Sequence, residues 1–429
     1  MNNKKNDLLP ILIIGALFFI FGFITWLNSV LIPYLKIACE LTNFEAYFVT
    51  FAFYISYFVM AIPSSWLMKK VGFKKGMALG LIIMAVGSLM FIPAANTRLY
   101  GLFLLGLFIQ GTGLSVLQTA SNPYLTIVGP IESAAKRISI MGICNKIAGA
   151  IAPLILGAII LKDANIIESS FQSISIIEKS ILLDKMALKV INPYIIMATV
   201  LIVLAILIKY SPLPEINEEE DIKKDDIKNA EKTSIIQYPY LLLGVMAIFF
   251  YVGVEVVSVD SIIQYGKSLN LPPINFSLLG FNINLANPMN FATYTLIFML
   301  AGYLLGILTI PKVLSQQRAL AIMSVIGIIF SLLAVLSSGF ISVIFIALLG
   351  FSNAIMWPAI WPLSIEKLGK FTKLGSALLI MAIAGGAIIP LIYGVFSDKF
   401  NPQFAYIINV PCYLFILFFA LKGHLIGKK

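Results

Sequence analysis

Charge is what this chain has least of: 30 Lys or Arg, 20 Asp or Glu and one His among 429 residues, or 12% charged. The single histidine, His424, falls in a basic C-terminal segment. No nucleophile–base set accompanies it and no metal-ligand cluster is spaced along the chain, which argues against an enzyme and against any metal or cofactor. Three cysteines, Cys39, Cys144 and Cys412, lie in or beside apolar runs without disulfide or zinc spacing, and read as packing residues.

In place of charge there is apolar surface: 60% of residues are hydrophobic and mean hydropathy is +0.97. A soluble chain of this size cannot hide that much, and apolar runs of about 18 residues or more are long enough to cross a bilayer as helices. Twelve such runs stand near 10–35, 47–68, 76–95, 99–124, 139–161, 191–208, 238–265, 289–311, 319–337, 339–362, 374–396 and 403–421. The expected fold is an all-α membrane protein with twelve transmembrane helices. Lys4 and Lys5 precede the first run as in a signal peptide, but the run is too long and no small-residue cleavage site follows, so it reads as a retained span.

A net charge of +10 invites a nucleic-acid partner, and its distribution argues against one. Sorted by loop, 21 Lys and Arg fall on the side of the N terminus; eight fall opposite (Lys36, Arg98, Lys162, Lys179, Lys185, Lys189, Lys267 and Lys399); Lys146 lies inside a run. The positive-inside rule then puts both termini in the cytoplasm; the expected location is the inner (cytoplasmic) membrane, with the lipid bilayer as partner.

Two stretches nearly repeat each other, GAIAPLILG at Gly149–Gly157 and GAIIPLIYG at Gly386–Gly394, in the fifth and eleventh runs. The polar segment Pro212–Lys232, with Glu218, Glu219, Glu220 and Asp221, separates six runs from six and reads as a solvated linker. Six and six place both copies of the repeat in the same direction, as in a duplicated transporter whose halves meet around a mid-membrane site. The expected division is an N-terminal half of 1–210, a cytoplasmic linker of 211–237 and a C-terminal half of 238–429, in the arrangement of the major facilitator fold.

Ionisable groups inside spans are costly and are functional candidates by default. Lys146 stands about 10 Å into the fifth run, taking 1.5 Å per residue. Glu255 lies well inside the seventh, and Asp260 follows five residues further out, where it either serves the site or simply reaches the interface. A carboxyl that alternates between wet and occluded surroundings can take up and release a proton, and Glu255 is the first candidate; Lys146 serves either the proton or a structural pairing. The substrate-binding candidates are Trp26, Asn28, Ser29, Gln118, Asn122, Asn145, Gln264, Asn353 and Trp357. Amides offer both donors and acceptors to a sugar's hydroxyls, and indole faces suit a pyranose ring. Any one amide serves helix–helix bonding as readily, and a tryptophan serves as an interface anchor. Prolines at Asn122-Pro123, Trp357-Pro358 and Trp361-Pro362 permit local bends.

At these residues the chain resembles the fucose–galactose–glucose:proton symporter family of the major facilitator superfamily. The resemblance covers nearly the whole chain and is carried by FGFITWLNSVLIPYLK (Phe21–Lys36), LQTASNPYLTIVGP (Leu117–Pro130), YVGVEV (Tyr251–Val256) and GKFTKLGSALLIMAIAGGAIIPLIYG (Gly369–Gly394). The loop Lys69–Lys75 has the glycine and lysines of the superfamily's basic turn without its usual acid. Fucose-type members carry Asp and Glu, linked to proton coupling, where this chain has Ser29 and Gln118. RISIMGICNK (Arg137–Lys146) and GYLLGILTIPKVLSQ (Gly302–Gln316) are more similar to the N-acetylglucosamine permease branch, which also resembles this chain at Glu255 and Asp260. The resemblance implies proton-coupled symport of a monosaccharide by alternating access. The sugar would be a hexose such as glucose or galactose, or N-acetylglucosamine, and sodium is the alternative ion. An uncoupled facilitator and a sugar-binding membrane sensor are the rival expectations.

Overall fold

The computed structural model describes residues 8–127, 134–161, 174–211, 213, 234–278, 281–310, 313–368 and 371–428. Twelve helical stretches in it are long and apolar enough to cross a membrane. They are span 1 (Leu12–Ala38), span 2 (Asn43–Met68), span 3 (Phe73–Thr97), span 4 (Tyr100–Ser121), span 5 (Ile140–Ile160) and span 6 (Ile176–Tyr210). Then come span 7 (Pro239–Asp260), span 8 (Pro288–Thr309), span 9 (Gln316–Leu336), span 10 (Gly339–Ile365), span 11 (Leu374–Lys399) and span 12 (Phe404–Leu421). The linker Pro212–Lys232 lies, apart from Leu213, outside the described residues. The face at which span 1 begins is here called proximal, and the opposite face distal.

Two elements on the distal side go beyond the expected runs. The first part of span 6, ahead of the run expected from 191, forms its own amphipathic helix, Ile176–Leu188, started by a capping box in which Ser175 and Glu178 satisfy each other's backbone amides. Between spans 7 and 8 the strands Asn275–Leu278 and Phe281–Asn284 pair as an antiparallel hairpin.

Several spans are not continuous. Span 1 is broken at Leu27, between helices Leu8–Trp26 and Asn28–Ala38. Span 10 is broken at Ala354–Ile355, four residues before Pro358. Proline has no N–H to offer the carbonyl four residues back and its ring crowds that carbonyl, so the break falls where the ladder cannot close. Span 7 ends at Asp260 and continues, after Ser261, as the short helix Ile262–Ser268; span 11 tightens to a 3-10 turn at Ala382–Ala384.

The two halves are packed alike. A Cβ on Gly22 of span 1 would stand 1.8 Å from the Asn145 carbonyl oxygen of span 5. A Cβ on Gly385 of span 11 would stand 1.8 Å from the Phe249 carbonyl oxygen of span 7. These are equivalent span pairs, and each brings backbone against backbone. Between halves the contacts also match. Span 8 meets span 5, where Thr293 Oγ1 donates to the Ala150 carbonyl at 2.8 Å. Span 11 meets span 2, where Gly386 lies against the Tyr54 ring and Gly394 against Tyr47. Both copies of the nine-residue repeat therefore face the opposite half.

Candidate functional site

Span 5 carries Lys146 near the middle of its helix Ala134–Ile160, and span 7 carries Glu255. The two side chains meet between the halves, Lys146 Nζ to Glu255 Oε1 at 2.8 Å, with 8% and 9% of their surfaces exposed. The ammonium also stands 4.5 Å from the ring centre of Trp26, a cation–π contact that helps offset desolvation. Trp26 is fixed by Gly149, whose missing side chain leaves room for the indole. Tyr251, Tyr303 and Tyr413 lie within electrostatic reach of Glu255. A buried pair of this kind adds little net stability, because desolvation offsets its attraction, yet removing one partner is severe. Such a contact ties two bodies together in a way that can be undone by a proton or a polar ligand.

Asp260 does not reach an interface. It is fully buried, and neither carboxylate oxygen has a hydrogen-bond partner. Glu255 and Asp260 are the two buried acids among the described residues. Tyr54 of span 2 lies within electrostatic reach of both, and Tyr47 of Asp260.

The polar candidates divide into three groups. Trp26 and Asn28 of span 1 are buried, and the indole Nε1 and the amide Nδ2 have no partner. Gln118 is half-buried and donates to the Tyr57 hydroxyl at 3.1 Å; Trp357 is half-buried, stacked on Trp361 at 5.2 Å and 6.4 Å from the Tyr251 ring. Of these, Trp26 touches the crossing pair directly, under Lys146, and Trp357 stands next to it through Tyr251. Three others bond within the protein. Ser29 Oγ donates to the Trp26 carbonyl at 2.8 Å, bridging the break in span 1. Asn145 Nδ2 donates to the Phe18 carbonyl at 3.4 Å, and Asn353 donates to Ser258 at 3.4 Å and accepts from Tyr413 at 2.8 Å. Gln264 belongs elsewhere, on the distal side, where it donates to Asn43 Oδ1. The side chain of Asn122 lies outside those described.

Around Gln264 the distal ends of the two halves are clasped. Asp398 of span 11 accepts from the Asn43 amide at 3.2 Å, from Asn43 Nδ2 at 2.6 Å and from the Phe44 amide at 2.7 Å. Lys36 Nζ donates to Asn43 Oδ1 at 2.7 Å. Ionised acceptors make such bonds stronger than neutral ones. The clasp and the tyrosines of span 2 escape a search for ionisable groups inside apolar runs. Tyr47, Tyr54 and Tyr57 did carry a signal, since spacings of seven and three put them on one helical face.

Residues 14–383 match the model of the Major Facilitator Superfamily. The chain is 32% identical over 422 residues to a glucose/galactose transporter of Brucella abortus biovar 1 (strain 9-941), covering 98% of this chain and 96% of that protein. It is 30% identical over 426 residues to the L-fucose-proton symporter of Escherichia coli (strain K12), covering 97% and 93%. Among solved structures it is similar to FucP, a Major Facilitator Superfamily transporter in the outward conformation, with a TM-score of 0.70, 29% identity, and coverage of 96% of this chain and 98% of that one.

Proposed function

This chain belongs to the Major Facilitator Superfamily, and from that premise we propose that it carries a monosaccharide of the glucose/galactose class together with a proton, by alternating access. The relatives' names support the substrate class and the coupling ion. The structural observation that carries the reading is the buried Lys146–Glu255 pair, which crosses from one half to the other beside Trp26. A sugar entering there offers hydroxyls to the unpartnered donors of Trp26 and Asn28 and an apolar ring face to the tryptophans. Its binding competes with the ion pair, so occupancy and separation of the halves become linked.

The proximal face is the cytoplasmic one, because the excess of Lys and Arg lies there. Cations on the distal face are in part neutralised locally, Arg98 by Asp184 at 3.1 Å and Lys179 by Glu40 at 2.5 Å. The membrane is the inner, cytoplasmic one, and the halves are 1–210 and 238–429, joined by 211–237. With the distal clasp made, a substrate held between the halves is closed off from the distal face.

The test is the pH of a weakly buffered medium around de-energised cells expressing the protein, as glucose, galactose, fucose or N-acetylglucosamine is added. A rise with glucose or galactose is expected. Uptake of labelled sugar without a pH change would overturn proton coupling and leave a facilitator or a sodium-coupled carrier.

A further inference from the structure

Glu255 is spoken for by Lys146, whereas Asp260 is more deeply buried and has nothing on either oxygen. Two neutral side chains, Ser29 and Gln118, cannot take up a proton, and both already have hydrogen bonds. We propose that Asp260 is the proton-binding site of this carrier, loaded from the distal side and sealed there when the clasp closes; the proposal rests on the symport reading above and names the group that holds the proton.

Three features carry it. The first is charge. Lys146 and Glu255 neutralise each other, so an ionised Asp260 adds one negative charge with no counter-charge in a dry interior, and its neutral acid adds none. The second is position. Asp260 ends the helix of span 7, and Gln264 of the clasp stands four residues beyond it, about 6 Å further toward the distal face at 1.5 Å per residue. Asp260 is therefore the acid that lies just beneath the seal. The third is what covers it. Tyr54 of span 2, in the other half, meets Val256 of span 7, one turn before Asp260, at Gly386 of span 11, and Tyr47 lies against Gly394, so parting span 2 from spans 7 and 11 opens the flank of Asp260 to distal water.

The titratable groups about Asp260 are those two tyrosines and Glu255 of its own helix. Tyr393 and Tyr406 lie beyond them, around Tyr47 and Ser261, where Tyr406 shares a 2.7 Å hydrogen bond with the Ser261 hydroxyl. Lys36 is engaged by Asn43. A proton from distal water adds to one Asp260 oxygen and gives a neutral acid; the clasp then closes over it. On the cytoplasmic side the same O–H gives its proton to water admitted between the halves, past Tyr54, which neighbours both acids. Without the proton, closing the distal side buries a bare charge, so closure favours the loaded carrier and reopening relieves the empty one.

The test uses the full-length protein in proteoliposomes. Wild type should show sugar-evoked alkalinisation of the outer medium and accumulation driven by a pH gradient. Asp260→Asn should keep labelled-sugar counterflow within about threefold while losing both the alkalinisation and the accumulation. Alkalinisation at the wild-type sugar-to-proton ratio in Asp260→Asn would overturn the proposal. If wild type itself moves sugar without protons, the symport reading fails first, and the two failures are distinct. Should Asp260→Asn not fold, wild type answers directly. A hydrophobic carbodiimide adds across a buried carboxylic O–H to give a stable acylurea, which mass spectrometry locates. Modification at Asp260 that slows as external pH rises is expected; modification at Glu255 with Asp260 untouched would overturn it.

Discussion

Removing either Lys146 or Glu255 strands the other charge among buried neighbours, and breaking a buried ion pair in this way costs about 3–5 kcal/mol. Lys146→Met or Glu255→Gln alone should therefore lower the melting temperature of the detergent-solubilised protein and reduce sugar transport more than tenfold. The double variant should regain most of the thermal stability, since no charge is left unpaired. Transport should stay low if the pair links sugar to movement; full recovery in the double variant would reduce it to a structural contact. At this scale the sequence exposes depth but not direction. It puts Glu255 deep in a helix and leaves Asp260 either at the site or at the interface, and which acid finds a cation depends on span 5, more than a hundred residues away. Asn353 and Asn145 show the same limit, because a bond to a neighbouring helix and a bond to a sugar look identical along the chain.

Two helix pairs, spans 1 and 5 and spans 7 and 11, approach so closely that only glycine fits. Gly22→Ala and Gly385→Ala should each cost about 1–3 kcal/mol or more through overpacking and depress the yield of folded protein. Gly101→Ala, with nothing within 4 Å of the added carbon, should do neither. Size-exclusion profiles and thermal melts of the three variants decide this. The spans themselves were legible in the sequence, because twelve long apolar runs admit few other readings, and the division between spans 9 and 10 near Ser338 holds. The helix Ile176–Leu188 was not, since Glu178, Lys179, Asp184 and Lys185 interrupt its apolar residues and a search for unbroken runs passes over it, and the hairpin before span 8 is too short for strand periodicity to show. The break in span 10 was readable from Pro358 through the bond a proline cannot make.

Across the whole molecule the repeat was legible because two stretches nearly match residue for residue in the sequence, whereas the distal clasp joins Asn43 to Asp398 across 355 positions and has no local signature. Asp398→Ala removes three accepted hydrogen bonds. With about 1.5–3 kcal/mol for each charged bond, the distal mouth should open at least tenfold more often. A membrane-impermeant thiol reagent should then modify Ser261→Cys faster from outside, in a chain whose three native cysteines are replaced by serine; an unchanged rate would mean the mouth is held by other contacts. The pairing of Lys146 with Glu255 has one more consequence, which concerns voltage. Since that pair is neutral and Asp260 is neutral when loaded, the sugar-laden carrier crosses without net charge, and the single negative charge appears on the empty return. A cell interior negative by 100 mV favours that return by about 2.3 kcal/mol. Net uptake should rise with an imposed inside-negative potential, while sugar-for-sugar exchange, which never uses the empty carrier, should stay indifferent to it.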